Sequence, residues 1–433
     1  MFTKNAETML KDYAIRSYSK EKIKINDRIY CYVGWGHSNV IVIEGDTSLI
    51  LIEALDSDER SKRLLADLNE TFHKPVKTII FTHGHPDHRA GAGSFGETNP
   101  EVICFAPQRP VLKYMEKINP VLMKRTVRQF GYRQTDEENI TQGLGIREGH
   151  VVGDGKHAFL PPTTVYNQSK VTRIIDGVAI EMISAVGETD DQIFVWLPED
   201  QVLCCGDNYY GCWPNLYAIR GSQYRDIATW VDSLKEIMSY PSKAVLPGHT
   251  MPLIGEDRIK EVLGNFTSAI EFVLLETLDC MNAGMSESQT VEAVKLPEKY
   301  LNLPYLGEFY GTVEWSVRAV YNGYFGWFDG DASNLFPLPD QVFAAELVKL
   351  SGAEKILNAA EDKLKSEEYQ MAVQLSNLLL LTAEDETGKN FVTAEMLSYA
   401  KSIKAKSFLA LGKMQTSANG RHYYMESAKE LME

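Results

Sequence analysis

Short apolar runs broken by polar turns fill the first half of the chain, and three- and four-residue apolar spacing takes over in the second. Residues 39–43 and 49–52 are near-continuous apolar runs around a Glu44-Gly45-Asp46 turn, the pattern of a hairpin in a sandwich core. Residues 76–81, mostly β-branched and aromatic, predict a buried strand. Residues 180–184, 192–197 and 202–205 predict three more, the last two joined by a Pro198-Glu199-Asp200 turn, and residues 244–249 a further short one ending in His249. Residues 104–177 read as a long turn-rich insertion with a helix over residues 111–128, the kind of segment that walls a pocket. From about residue 259 the period becomes helical: Val262, Phe266, Ala269 and Val273 share a face, Gly284 is a stop, and Ser286 with Gln289 forms a capping box. Three groups follow: Ile356, Ala360 and Leu364; Tyr369, Ala372 and Val373; Met396, Ala400 and Ile403. They outline a helical hairpin and a further helix, tetratricopeptide-like in layout. The expected class is α+β, with residues 1–258 as a mixed domain and residues 259–433 as an all-helical one.

At 433 residues the chain exceeds one ordinary core, in keeping with two domains. A formal net charge of −15 sets nucleic acid and anionic membrane aside as partners, since both are repelled at long range. No apolar run reaches the length of a membrane span, and the polar start lacks a signal peptide's apolar segment. The six cysteines include no C-x-x-C pair, and Cys204 and Cys205 read as small core residues. Together these predict a reduced, cytoplasmic setting without membrane insertion.

The run Thr82-His83-Gly84-His85-Pro86-Asp87-His88 changes the picture. Four metal-ligand side chains stand within six residues, on the loop after a strand, where α/β sheets place their chemistry. Packing is a poor explanation, because burying three imidazoles and a carboxylate without a cation leaves polar groups unpaired. In an extended turn His83 and His85 can hold one cation while Asp87 and His88 reach a second.

The motif, the strand before it and the order of the segments after it resemble the metallo-β-lactamase superfamily, an αββα sandwich. The resemblance implies further ligands in a fixed order: Glu188 after the strand at residues 180–184, Asp207 as bridging carboxylate, and His249 last. It places His83, His85 and Glu188 on one metal, Asp87, His88 and His249 on the other, with Asp207 between. Glu53 stands where the superfamily often has an aspartate supporting the metal loop. Most of the superfamily carries His at the place of Glu188. Glutamate there, Asn208, the run Asn215-Leu216-Tyr217-Ala218-Ile219-Arg220-Gly221, and the segments Tyr310-Gly311-Thr312, Ala319-Val320-Tyr321 and Gly326-Trp327-Phe328-Asp329-Gly330 resemble the alkylsulfatase branch. That likeness runs from about Tyr30 to the C-terminus. Two departures concern chemistry: Pro214 and Gly211 stand where the branch commonly has His. The expectation is a member without the sterol-carrier-like third domain that many others carry.

The resemblance implies a hydrolase that cleaves alkyl sulfate esters to alcohol and sulfate by a metal-activated water, with Asp87 and Asp207 as catalytic residues. The cofactors expected are two divalent metal ions, zinc by the histidines, with manganese or iron also suited to the carboxylate-rich shell. Arg220 matches sulfate oxygens in a bidentate way, and Asn215 can add a hydrogen bond. Tyr310 and Thr312 either line the pocket or cap a helix. Arg125 and Arg128 are weaker candidates for the anion, and Tyr209 or Tyr210 for leaving-group help. The expected partner is a small-molecule sulfate ester, and the helical region implies a homodimer. Two alternatives stand: a hydrolase of a lactone, thioester or phosphoester on the same scaffold, and a non-catalytic interaction protein. His37 follows a Gly34-Trp35-Gly36 loop that could overhang the pocket, but reads first as a surface or packing residue; His150 and His157 read as exposed, and His73 and His422 have no company suggesting a site.

Overall fold

The computed structural model describes residues 2–110 and 112–433. Seven strands, β1 (Glu21–Lys24), β2 (Ile29–Val33), β3 (Val40–Glu44), β4 (Leu49–Ile52), β5 (Val76–Ile80), β6 (Glu101–Phe105) and β7 (Thr164–Tyr166), form one sheet in chain order. The first four pair antiparallel, and β4 to β7 run parallel. A parallel step needs a crossover, and helix Asp58–Phe72 supplies it between β4 and β5, burying Leu64, Leu68 and Phe72 on the sheet.

The second sheet has six strands, β8 (Lys170–Ile175), β9 (Val178–Ser184), β10 (Ile193–Leu197), β11 (Val202–Gly206), β12 (Ala244–Pro247) and β13 (Leu253–Ile254). They lie in the reverse of chain order, and only β11 and β12 are parallel, joined through helix Ile227–Ser239. β4, β10 and β11 are buried at every residue, which is why their sequences do not alternate. The outer face of this sheet packs Phe194, Trp196, Leu203 and Val245 against Trp230 and Leu234 of that helix. Val262, Phe266, Ala269 and Val273 of helix Glu256–Asn282 enter the same core. The layers are therefore helix, sheet, sheet, helix, the expected αββα sandwich, followed in the chain by helices.

The chain divides into two compact units. Lys11–Ile118 and Thr141–Tyr324 hold both sheets; Asn119–Ile140, Phe325–Glu433 and the residues up to Leu10 form the other. In the latter, helices Ala353–Lys365, Tyr369–Thr382 and Ala394–Lys413 bury Ile356, Ala360, Ala372, Leu379, Ala400 and Ile403 in a core of their own. The helix expected at residues 111–128 forms as a 3₁₀ turn, Met115–Ile118, running into helix Asn119–Phe130; Val111 lies outside the described residues. Among the described residues no helix is long and apolar enough to cross a membrane.

Candidate metal centre

The centre is assembled at the C-terminal ends of parallel strands. β5 delivers the loop carrying His83, His85, Asp87 and His88; β11 ends at Gly206 and presents Asp207; β12 ends at Pro247 and presents His249. The turn between β9 and β10 adds Glu188. Behind the loop, Glu53 follows β4 with φ of 71° and a fully buried side chain. Non-glycine residues seldom adopt such a φ, and here the bend aims the carboxylate at the loop. Glu53 accepts hydrogen bonds from the Thr82 amide, at 3.2 Å, and the Thr82 hydroxyl, and lies 3.5 Å from His88 Nδ1.

All seven expected ligands meet. His83 Nε2 lies 3.0 Å from His85 Nδ1, which lies 3.3 Å from Glu188 Oε2. On the other side, Asp87 Oδ2 is 3.3 Å from both His88 Nε2 and His249 Nε2. Asp207 Oδ2 faces both sides, 3.8 Å from His83 Nε2, 3.5 Å from His88 Nε2 and 3.3 Å from His249 Nε2. Their outer atoms fix which nitrogen is offered. His83 Nδ1 is 3.1 Å from the Thr82 hydroxyl oxygen, and His249 Nδ1 donates to the carbonyl of His37 at 3.0 Å, so Nε2 of each points inward.

These residues fit a cation. His88 Nδ1 and Nε2, His249 Nε2 and Asp207 Oδ1 are buried with no hydrogen-bond partner. Orphaned buried polar atoms are costly and rare, and four in one cluster are what a bound cation resolves. Electrostatics agree. Burial, with His88 and His85 alongside, holds the His83 imidazole well below its ordinary pKa. For His88 and His249 burial pulls the same way but loses to Asp87 and Asp207, and His249 is raised to about 10. Burial would raise the Asp87 and Asp207 carboxyls, yet the neighbouring imidazoles hold both well below their usual range. A cation entering the cluster would replace those imidazole protons.

Glu188 is braced by residues that sequence reasoning had used differently or missed. Arg225 Nη1 pairs with Glu188 Oε1 at 2.8 Å, both side chains about 95% buried, and also donates to the Asn215 carbonyl. The Tyr210 hydroxyl donates to Glu188 Oε1 at 3.0 Å and accepts from the Asn215 amide at 2.8 Å. Arg225 then holds the Glu188 carboxyl below its usual pKa against burial. Nothing in the run around Arg225 marked it; its partner lies 37 residues earlier, so only the fold reveals the pair.

Arg220, with Arg109, Tyr224 and Arg225, lines a cavity of about 250 Å³ that reaches His85 and Glu188. Tyr310 is buried with its ring 6.1 Å from that of Tyr210, edge to face. Thr312 caps helix Val313–Phe325, accepting from the Trp315 amide at 3.1 Å. Tyr209 packs on Phe266 in the core. Gly211 donates its amide to the Thr250 hydroxyl at 2.9 Å. Arg125 and Arg128 belong to the other compact unit, where Arg128 pairs with Glu430. His37, expected as a surface or packing residue, is buried beside His249.

Residues 33–249 match the family model of the metallo-beta-lactamase superfamily, and residues 286–433 that of alkyl sulfatase dimerisation. The chain is 32% identical over 400 residues to a linear primary-alkylsulfatase of Pseudomonas sp. (strain ATCC 19151), covering 90% of this chain and 73% of that protein. It is 27% identical to an alkyl/aryl-sulfatase of Saccharomyces cerevisiae, covering 94% of this chain and 63% of the relative. The solved structure of a stereoselective inverting sec-alkylsulfatase from Pseudomonas sp. superposes with a TM-score of 0.83 at 22% identity, covering 99% of this chain and 70% of that one. With this fold, this cluster and these relatives, the chain belongs to the metallo-beta-lactamase superfamily and, within it, to the alkylsulfatase family.

Proposed function

We propose that this chain hydrolyses alkyl sulfate esters to alcohol and sulfate at a centre of two divalent cations, zinc by its imidazole donors. The observation that carries the reading is Asp207 Oδ2, which faces His83 on one side and His88 and His249 on the other. Two donor sets therefore share one carboxylate: His83, His85 and Glu188, and Asp87, His88 and His249. When bound, the cations supply Lewis acidity and an acidified water. The chain's own residues supply the rest. Arg225 and Tyr210 fix one oxygen of Glu188 and leave the other facing His85. Arg220 brings a planar cation to the adjoining cavity, where a sulfate group can be held bidentately. Asn215 holds the Tyr210 and Arg225 supports in place through its backbone. Asp87 and Asp207, each within 3.5 Å of His88 and His249, are the carboxylates assigned to catalysis, kept ionised by those imidazoles. The match of residues 286–433 to the dimerisation model supports a homodimer through the helical region.

The test is sulfate release by zinc-loaded protein from primary and secondary alkyl sulfates of increasing length, with His83→Ala as blank. Release that disappears in His83→Ala is expected. Metal-loaded protein that turns over lactones or phosphoesters but no sulfate would overturn the substrate assignment.

A further inference from the structure

We propose that His37 is an additional imidazole donor to the Asp87 and His249 half of the centre; this rests on reading the cluster as a metal site. His37 is 4% exposed, and its ring stands edge-on to that of His249, centroids 5.4 Å apart at 72°. A ring nitrogen of His37, a carboxylate oxygen of Asp87 and a ring nitrogen of His249 lie within 4.8 Å of one another. The His37 tautomer follows from its other contact. Nδ1 is 2.8 Å from the Ile146 carbonyl, which can only accept, so Nδ1 carries the hydrogen and Nε2 the lone pair. A carbonyl behind one nitrogen is how a metal-ligating imidazole is usually oriented.

The backbone of His37 is fixed as well. Its amide donates to Asp56 Oδ1 at 2.9 Å, and Asp56 is held by Arg60 at 2.9 Å. Its carbonyl accepts from His249 Nδ1. His37 thus positions His249 through its main chain and offers a donor through its side chain. A packing residue would need only bulk here, whereas this side chain places a ring nitrogen within 4.8 Å of the donor atoms of Asp87 and His249. With His37 counted, this half offers three imidazoles against two in the His83 and His85 half, so its cation should be held more tightly.

The experiment is metal titration of the full-length metal-free protein against a chromophoric chelator, with cobalt(II) absorption as a second readout, for wild type and His37→Leu. Wild type should take up two equivalents. His37→Leu should weaken the tighter one by about 10–100-fold, leave the other unchanged and alter the visible cobalt bands. Two equivalents bound by His37→Leu with wild-type affinity and spectrum would overturn the role of His37 alone. No uptake by wild type would overturn the metal site itself. Should the leucine variant fail to fold, His37→Gln, which keeps the volume and changes the donor, is read by the same two measurements.

Discussion

At the scale of single residues, the pair Arg225 and Glu188 shows how the cluster tolerates a carboxylate where the superfamily resemblance leads one to expect an imidazole. The arginine supplies the balancing charge from behind, at 2.8 Å and away from water. Arg225→Met should therefore leave a buried anion without its partner and destabilise the chelator-treated protein by about 3–5 kcal/mol. The midpoint of urea unfolding measures it, and a change below about 1 kcal/mol would mean that Tyr210 alone suffices. The ligand run from His83 to His88 was legible because its members are neighbours in sequence. Glu188, Asp207 and His249 were legible only through the resemblance, since each stands alone after its strand. Arg225 was not legible as a contributor, because its partner comes from another strand and an isolated arginine carries no sign of what it will face; for His37 the only sign was a loop that could overhang the pocket.

Among the elements, the turn between β8 and β9 ties the two sheets. Asp176 accepts from the amide and hydroxyl of Thr47, both at 2.9 Å, and from those of Ser48, at 2.6 and 2.7 Å, in the turn between β3 and β4. Burial pushes its carboxyl up, but these four donors outweigh it and bring the pKa down to about 2. Because the folded value lies below the unfolded one of about 3.9, the contribution is complete above roughly pH 4 and is lost as the pH falls toward 2. Asp176→Asn should cost on the order of 1–2 kcal/mol at neutral pH and flatten the fall in melting temperature across that window. An unchanged acid profile would assign the fall to other carboxylates. This turn was also a missed signal. Asp176 and Gly177 both have positive φ, at 47° and 80°, and Ile175 pairs with Val178, a two-residue hairpin. An Asp-Gly step between apolar runs announces that geometry, which the reading of residues 104–177 as one long insertion passes over. The continuous strands β3, β4, β10 and β11 were read correctly because burial on both faces removes the alternation that competing readings need.

For the molecule as a whole, a net charge of −15 sets a long-range field that opposes an anionic ester, while Arg220 brings a local cation to a cavity whose other arginines, Arg109 and Arg225, are paired with Asp190 and Glu188. Added salt screens the distant field first, the Debye length being about 10 Å at 0.1 M. The value of kcat/KM for a short alkyl sulfate should therefore rise modestly from about 0.01 to 0.1 M salt, whereas a steep fall would show that the local arginines dominate. Gly248 adds a different constraint. A β-carbon there would lie 2.3 Å from Asp207 Oδ1 and 2.9 Å from His88 Cε1, so the floor of the centre is bare main chain. Side chains can be exchanged one at a time, but a backbone surface offers nothing to exchange. The side chains open to exchange are those of the adjoining cavity, around Pro107 and Arg109 and from Ser222 to Tyr224, so a change of specificity should begin there while Gly248 stays glycine.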